Sequence, residues 1–119
     1  MFFKKKVKAV ESKEIDTEAI KKEIDNLRTV LKDDFSKEHL VKLAALENDL
    51  GNTLTSIELL EDYMNNNKEL GIVLNELMKY YNIMVKKCAS EKDDEKLQNY
   101  LSKTDNLMQM SKDIIRGKY

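Results

Sequence analysis

A chain of 119 residues, 41% apolar and 36% charged, with no proline and three glycines, has the makings of one helical domain and not of two. The net charge of −1 excludes a generally basic, nucleic-acid-binding surface. No apolar run approaches the roughly 20 residues of a membrane-spanning helix, and the single cysteine cannot close an internal disulfide, which fits a reducing compartment. The expected location is the cytoplasm.

Residues 1–14 read as a mobile basic arm, and residues 15–119 as one helical domain. Lys4, Lys5, Lys6 and Lys8 have no acid among the first ten residues, so the rest of the chain carries a balance of −5. Phe2 and Phe3 beside Lys4, Lys5, Lys6 and Lys8 are candidate contacts to an anionic membrane surface, at about 1 kcal/mol per basic residue. No apolar h-region follows them, so this is not a secretory signal.

The first helix is expected from Asp16 or Thr17, either of which can cap it, to about Asp33 or Asp34. Its stripe is Ile20, Ile24, Leu27, Leu31 and Phe35. Ser36 is the N-cap expected for a second helix, whose stripe runs Leu40, Leu43, Leu46, Leu50, Leu54, Ile57, Leu60 and Met64. This helix reads as continuous through Gly51, with a bend at that glycine as the alternative. Asn65, Asn66 and Asn67 mark the clearest turn.

The third stripe is the most regular: Leu70, Leu74, Leu77, Tyr81, Met84 and Cys88, spaced as the seam of a helix packed at a shallow angle. Ser90 is then expected to cap a fourth helix, with Glu91, Asp93 and Asp94 at the positive end of its dipole. Its stripe reads Leu97, Leu101, Thr104, Met108, Ser111 and Ile115, flanked by Tyr100, Leu107 and Ile114. Gly117 supplies the stop. With no sustained period-two alternation, the expected fold is all-α: an up-down antiparallel bundle of four helices, a three-helix body plus the N-terminal helix.

Reactive chemistry is hard to place on this frame. The only histidine, His39, has Ser36 three residues before it, so the Glu-x-x-His pairs of a bundle di-metal site are missing and a solvated histidine is expected. Cys88 falls on the heptad seam and reads as a buried apolar residue. The acids Glu91, Asp93, Asp94 and Glu95 lack the loop that wraps calcium and are interrupted by Lys92 and Lys96. Gly51, Gly71 and Gly117 are isolated and form no phosphate-binding loop. No catalytic residue, cofactor, metal or small-molecule substrate is expected.

Met78, Tyr80 and Met110 lie on the flanks of their stripes. Deformable thioethers and an aromatic ring there make them candidates for an exposed partner-binding patch.

The segment Thr55-Ser56-Ile57-Glu58-Leu59-Leu60-Glu61-Asp62-Tyr63 resembles the Thr-Thr-Leu-x-Leu-Leu-Glu-x-Tyr segment of XpaC-like proteins, labelled 5-bromo-4-chloroindolyl phosphate hydrolysis proteins. The order that follows is also similar: a turn, a long amphipathic helix, an acidic break, and a helix with Leu107 and Met108. The likeness covers roughly residues 53–115. Where the family usually has Leu-Pro, this chain has Thr53-Leu54, and the N-terminal membrane segments of many members are not found here. The resemblance implies a helical architecture and an association with the cell envelope, and through its label phosphate-ester hydrolysis, but it assigns no catalytic residue.

The residues together lead to the expectation of a non-enzymatic helical module that binds another protein or itself. A peripheral membrane protein held by the basic arm is the alternative.

Overall fold

The computed structural model describes residues 16–119, and these form five α-helices and no strand. They are α1 (Thr17–Asp33), α2 (Lys37–Asp49), α3 (Thr53–Asn66), α4 (Ile72–Ser90) and α5 (Asp94–Ile115). The arm expected over residues 1–14, with its candidates Phe2, Phe3, Lys4, Lys5, Lys6 and Lys8, lies outside the described residues. None of the described helices is long and apolar enough to cross a membrane.

The first helix begins where the sequence places it. The Asp16 carboxylate accepts from the backbone N–H groups of Glu18 and Ala19, at 3.0 and 3.4 Å, satisfying two of the donors that a helix start leaves free. Ser36 caps α2 in the same way, accepting from His39 N–H at 3.3 Å.

The expected continuous second helix is instead two helices. The chain reverses over Leu50, Gly51 and Asn52, and this raises the helix count from four to five. Gly51 stands at φ +88°, in the region that favours glycine. Asn52 N–H donates to Glu47 C=O at 2.8 Å and Gly51 N–H donates to Asn48 C=O at 2.9 Å, the paired bonds of a Schellman closure. The apolar stripe runs through the break because α2 and α3 fold back against each other and need the same kind of face. Leu54, placed on that stripe by spacing, is 57% exposed.

The same closure ends α4. Lys92 N–H donates to Ala89 C=O and Asp93 N–H to Cys88 C=O, with Lys92 at φ 55°. Asp93 then caps α5, its carboxylate accepting from Lys96 N–H at 3.2 Å. The cap expected at Ser90 is therefore corrected: Ser90 is the last residue of α4.

Each helix packs on the next in the chain, and α2 also packs on α4. The larger core gathers Leu40 and Ala44 from α2, Ile57, Leu60 and Met64 from α3, seven residues of α4 from Val73 to Cys88, and Tyr100 and Leu107 from α5. A smaller cluster joins Ile24 and Leu27 of α1 to Leu43 of α2. So α2 belongs to the main body as fully as α3 does. The small side chains at the α2–α3 contact let the backbones approach: Ala44 and Ser56 are both fully buried, and the Ser56 hydroxyl donates to Ala44 C=O.

One polar tie fixes α1 to the new turn. The Glu47 carboxylate, almost wholly buried, accepts from Arg28 Nη2 at 2.7 Å and from Asn52 Nδ2 at 3.0 Å. Burying that charge is tolerable because both of its oxygens are paired.

Candidate partner-binding surface

The residues singled out for chemistry are placed as ordinary structure. His39 is exposed in the first turn of α2, and Cys88 is 1% exposed in the core. Among the acids of the α4–α5 turn, Asp93 serves as a helix cap while Asp94 and Glu95 occupy the first turn of α5. Among the described residues no group of three or more His, Cys, Asp or Glu side chains is arranged to hold a metal ion.

The three candidates for an exposed patch separate. Tyr80 is 1% exposed, so its place on such a patch is corrected. It sits in the middle of α4 within the larger core, and Lys79 Nζ lies 5.4 Å from its ring centre. Its hydroxyl is held above the usual tyrosine range by burial, then by the negative charges of Glu76 and Asp49. Met78 and Met110 are half-buried against the larger core. They do not form a joint surface with Tyr80.

Met110 instead lines a groove of about 230 Å³ among α3, α4 and α5. Its floor includes Met64, Leu77 and Leu107, and one wall is a polar junction. There the Glu61 carboxylate accepts from the Tyr81 hydroxyl at 2.6 Å and from Lys103 Nζ at 2.9 Å. Burial and the bond to Glu61 push the Tyr81 hydroxyl well above its ordinary range. The Tyr81 ring also meets Tyr100 at 6.2 Å. One oxygen of this carboxylate, held by a phenol and an ammonium, acts as a tie across three helices.

A second polar knot sits where the α1–α2 and α3–α4 turns meet. The Tyr63 hydroxyl donates to Glu69 at 2.7 Å and Lys37 Nζ donates to the same oxygen at 3.1 Å. Phe35, expected inside the first stripe, is half-exposed past the end of α1 and stacks on Tyr63, with ring centres 5.6 Å apart.

The surface that spacing alone did not identify is on α5. That helix was expected to bury Leu97, Leu101, Thr104, Met108, Ser111 and Ile115. The structure turns it so that the flank residues Tyr100 and Leu107 are buried and Ile114 packs on the core. Leu101, Met108 and Ile115, seven residues apart, are left 38%, 47% and 70% exposed. They stand on one face, since seven residues are close to two turns. Leu97, Thr104 and Ser111 line the inner edge of that face, half-buried. The signal was present in the sequence as two apolar ridges on one helix. Among the described helices α4 packs along α5, α3 reaches it through Glu61 and Lys103 on the far side from Leu101, Met108 and Ile115, and the exposed ridge faces neither.

The outer border of the exposed ridge is charged in order. From N- to C-terminus it reads Asp94, Gln98, Asp105, Lys112 and Arg116, all exposed. Among the described residues none of these four charges takes part in an ion pair.

No family model, curated protein or solved structure matches the chain.

Proposed function

We propose that this chain is a helical protein-interaction module whose docking face is the exposed ridge of α5. The observation that carries the reading is the exposure of Leu101, Met108 and Ile115 on the side of α5 turned away from α3 and α4. Apolar ridges at heptad spacing are what a second helix packs against. Met108 at the centre supplies a deformable contact, and the border charges supply register. The five helices act as an antiparallel up-down support that holds this face rigid. The phosphate-ester hydrolysis implied by the likeness to XpaC-like proteins has no assigned residue here and stays secondary.

A photo-crosslinking residue placed at position 108, compared with one at the exposed Asn99 on the opposite face, tests the reading in living host cells. The expected result is a discrete protein adduct from position 108 and none from 99. Equal labelling from both, or none from either, would refute it.

A further inference from the structure

Resting on that docking face, we infer that its occupant is a second copy of this chain, with α5 pairing antiparallel to α5. The charge order along the ridge argues for this arrangement. Acid stands at the N-terminal end of the border and base at the C-terminal end: Asp94 against Lys112 and Arg116. Acid-first order also suits the helix dipole, but a border so ordered is complementary to itself when reversed and repels itself when parallel only at matched ends.

With the two-fold axis near Asn106, Leu97 meets Ile115 of the second copy, Leu101 meets Ser111, and Thr104 meets Met108. In the same register Arg116 of the second copy comes within two residues, about 3 Å along the axis, of Asp94, and Lys112 within two residues of Gln98, each pair occurring twice and within side-chain reach. Asp105 lies beside the axis, opposite its own equivalent. This is an isologous contact, which closes at two copies and does not run on into a fibre.

The α4 side of α5 does not obstruct it. Tyr100 and Leu107, which face α4, lie about a quarter-turn or more around the helix from Met108 at 3.6 residues per turn. The 22 residues of α5 extend about 33 Å. A contact strip about 12 Å wide over that length covers about 400 Å² per copy, about 800 Å² in total. That is below the roughly 1,200 Å² of stable specific interfaces and within the range of transient ones. The pair is accordingly weak and reversible, with a dissociation constant on the order of 10 µM or above, and exposed border charges make it weaker as salt rises.

Sedimentation equilibrium of the full chain over about 5 to 500 µM reads this directly. One variant carries Lys112→Glu and Arg116→Glu, and another carries Asp94→Lys and Gln98→Lys. All four positions are exposed, and circular dichroism confirms that both variants remain helical. Each alone loses self-association by about tenfold or more, while an equimolar mixture regains it as a heterodimer. Asp105→Asn strengthens the wild-type pairing by relieving the like charges at the axis.

A wild-type chain that is monomeric throughout, or a mixture no more associated than its components, overturns the pairing. Crosslinking from position 108 separates this failure from that of the docking reading. An adduct of twice the chain's mass supports the pairing, an adduct only with a different protein overturns it while leaving the docking face standing, and no adduct removes both.

Discussion

Replacing Gly51 by alanine has opposite consequences in the two ways the residues from Leu40 to Met64 can be read. In a continuous helix, alanine would stabilise by about 0.5–1 kcal/mol through lower backbone entropy in the unfolded chain. In the observed turn, Gly51 stands at φ +88°. An L-residue in left-handed geometry is strained by roughly 1–2 kcal/mol, of which about 0.4–1 kcal/mol is offset by the stiffer unfolded state. A Cβ built there meets nothing within 4 Å, so packing adds no further penalty and the backbone decides the outcome. The net expectation is a loss of about 1 kcal/mol. For a small domain with a urea slope of about 1–1.5 kcal/mol/M, the midpoint should fall by about 0.7–1 M at unchanged slope. Gly51→Asn should lose less, because asparagine tolerates this region. Helicity followed at 222 nm against urea supplies the measurement. A midpoint that rises, or does not move, would refute the two-helix reading of this segment.

Other perturbations test the remaining ties. Glu47→Ala frees Arg28 into solvent but deprives the α2–α3 turn of its side-chain bond to Asn52; a loss of about 1–3 kcal/mol in urea unfolding is expected, and no loss would show that the tie contributes nothing. Lys92→Gly removes the strain of a side chain at φ 55° and should raise the unfolding midpoint, by about 0.5–1 kcal/mol in stability. Cys88 is buried in the core, so a thiol reagent should modify the native chain at least about a hundredfold more slowly than the urea-unfolded chain, at a rate set by opening of the structure. Burial, then the bond to Glu69, pushes the Tyr63 hydroxyl up to about 12. Because the folded value lies above the unfolded one, this contribution is complete below about pH 10 and is lost as pH climbs through about 12. Ultraviolet titration at 295 nm should therefore show a component with its midpoint near 12 that Tyr63→Phe abolishes. The partner carboxylate moves the other way: the Tyr63 hydroxyl, then Lys37, lowers Glu69, so its contribution is present above the ordinary glutamate range and disappears as acid is added.

The elements themselves were legible wherever a local rule acts alone. Asp16 and Ser36 announce two helix starts because a side-chain oxygen two or three residues before a free N–H is sufficient. The Leu74, Leu77, Tyr81, Met84 and Cys88 part of the third seam was legible because α4 is covered by α2, α3 and α5; Leu70, expected at the head of that seam, precedes α4 and is half-exposed. The break at Gly51 was not, because a helix folding back on the same core renews the same apolar stripe, and spacing cannot tell continuation from reversal. Ser90 competed with Asp93 for one cap, and the preceding helix decided between them by running through Ser90 to close on Lys92. Tyr80 reads as a flank residue when α4 has only α3 and α5 beside it; α2 packs on α4 as well, and its Asp49 is close enough to act on the Tyr80 hydroxyl. The membrane-contact reading of the N-terminal arm falls on residues outside the described range.

The case of α5 runs the other way and bears on function. Its apolar residues from Leu101 round to Met110 occupy about half of the circumference at 3.6 residues per turn, whereas a helix seated on one neighbour needs only the narrow seam of a and d positions. The surplus is not scattered, as single exposed leucines on a soluble protein usually are; it recurs every seven residues at Leu101, Met108 and Ile115. If that ridge only over-supplied the core, polar residues there would leave stability and association alike unchanged. If it is a docking face, Leu101→Ser, Met108→Ser and Ile115→Ser together should cost no more than about 2–3 kcal/mol of stability from lost helix propensity and partial burial, since the three side chains are 38–70% exposed, and should abolish concentration-dependent association. A triple variant that unfolds easily would place the ridge in the core's service. One that associates as strongly as wild type would move the contact to another face of the molecule.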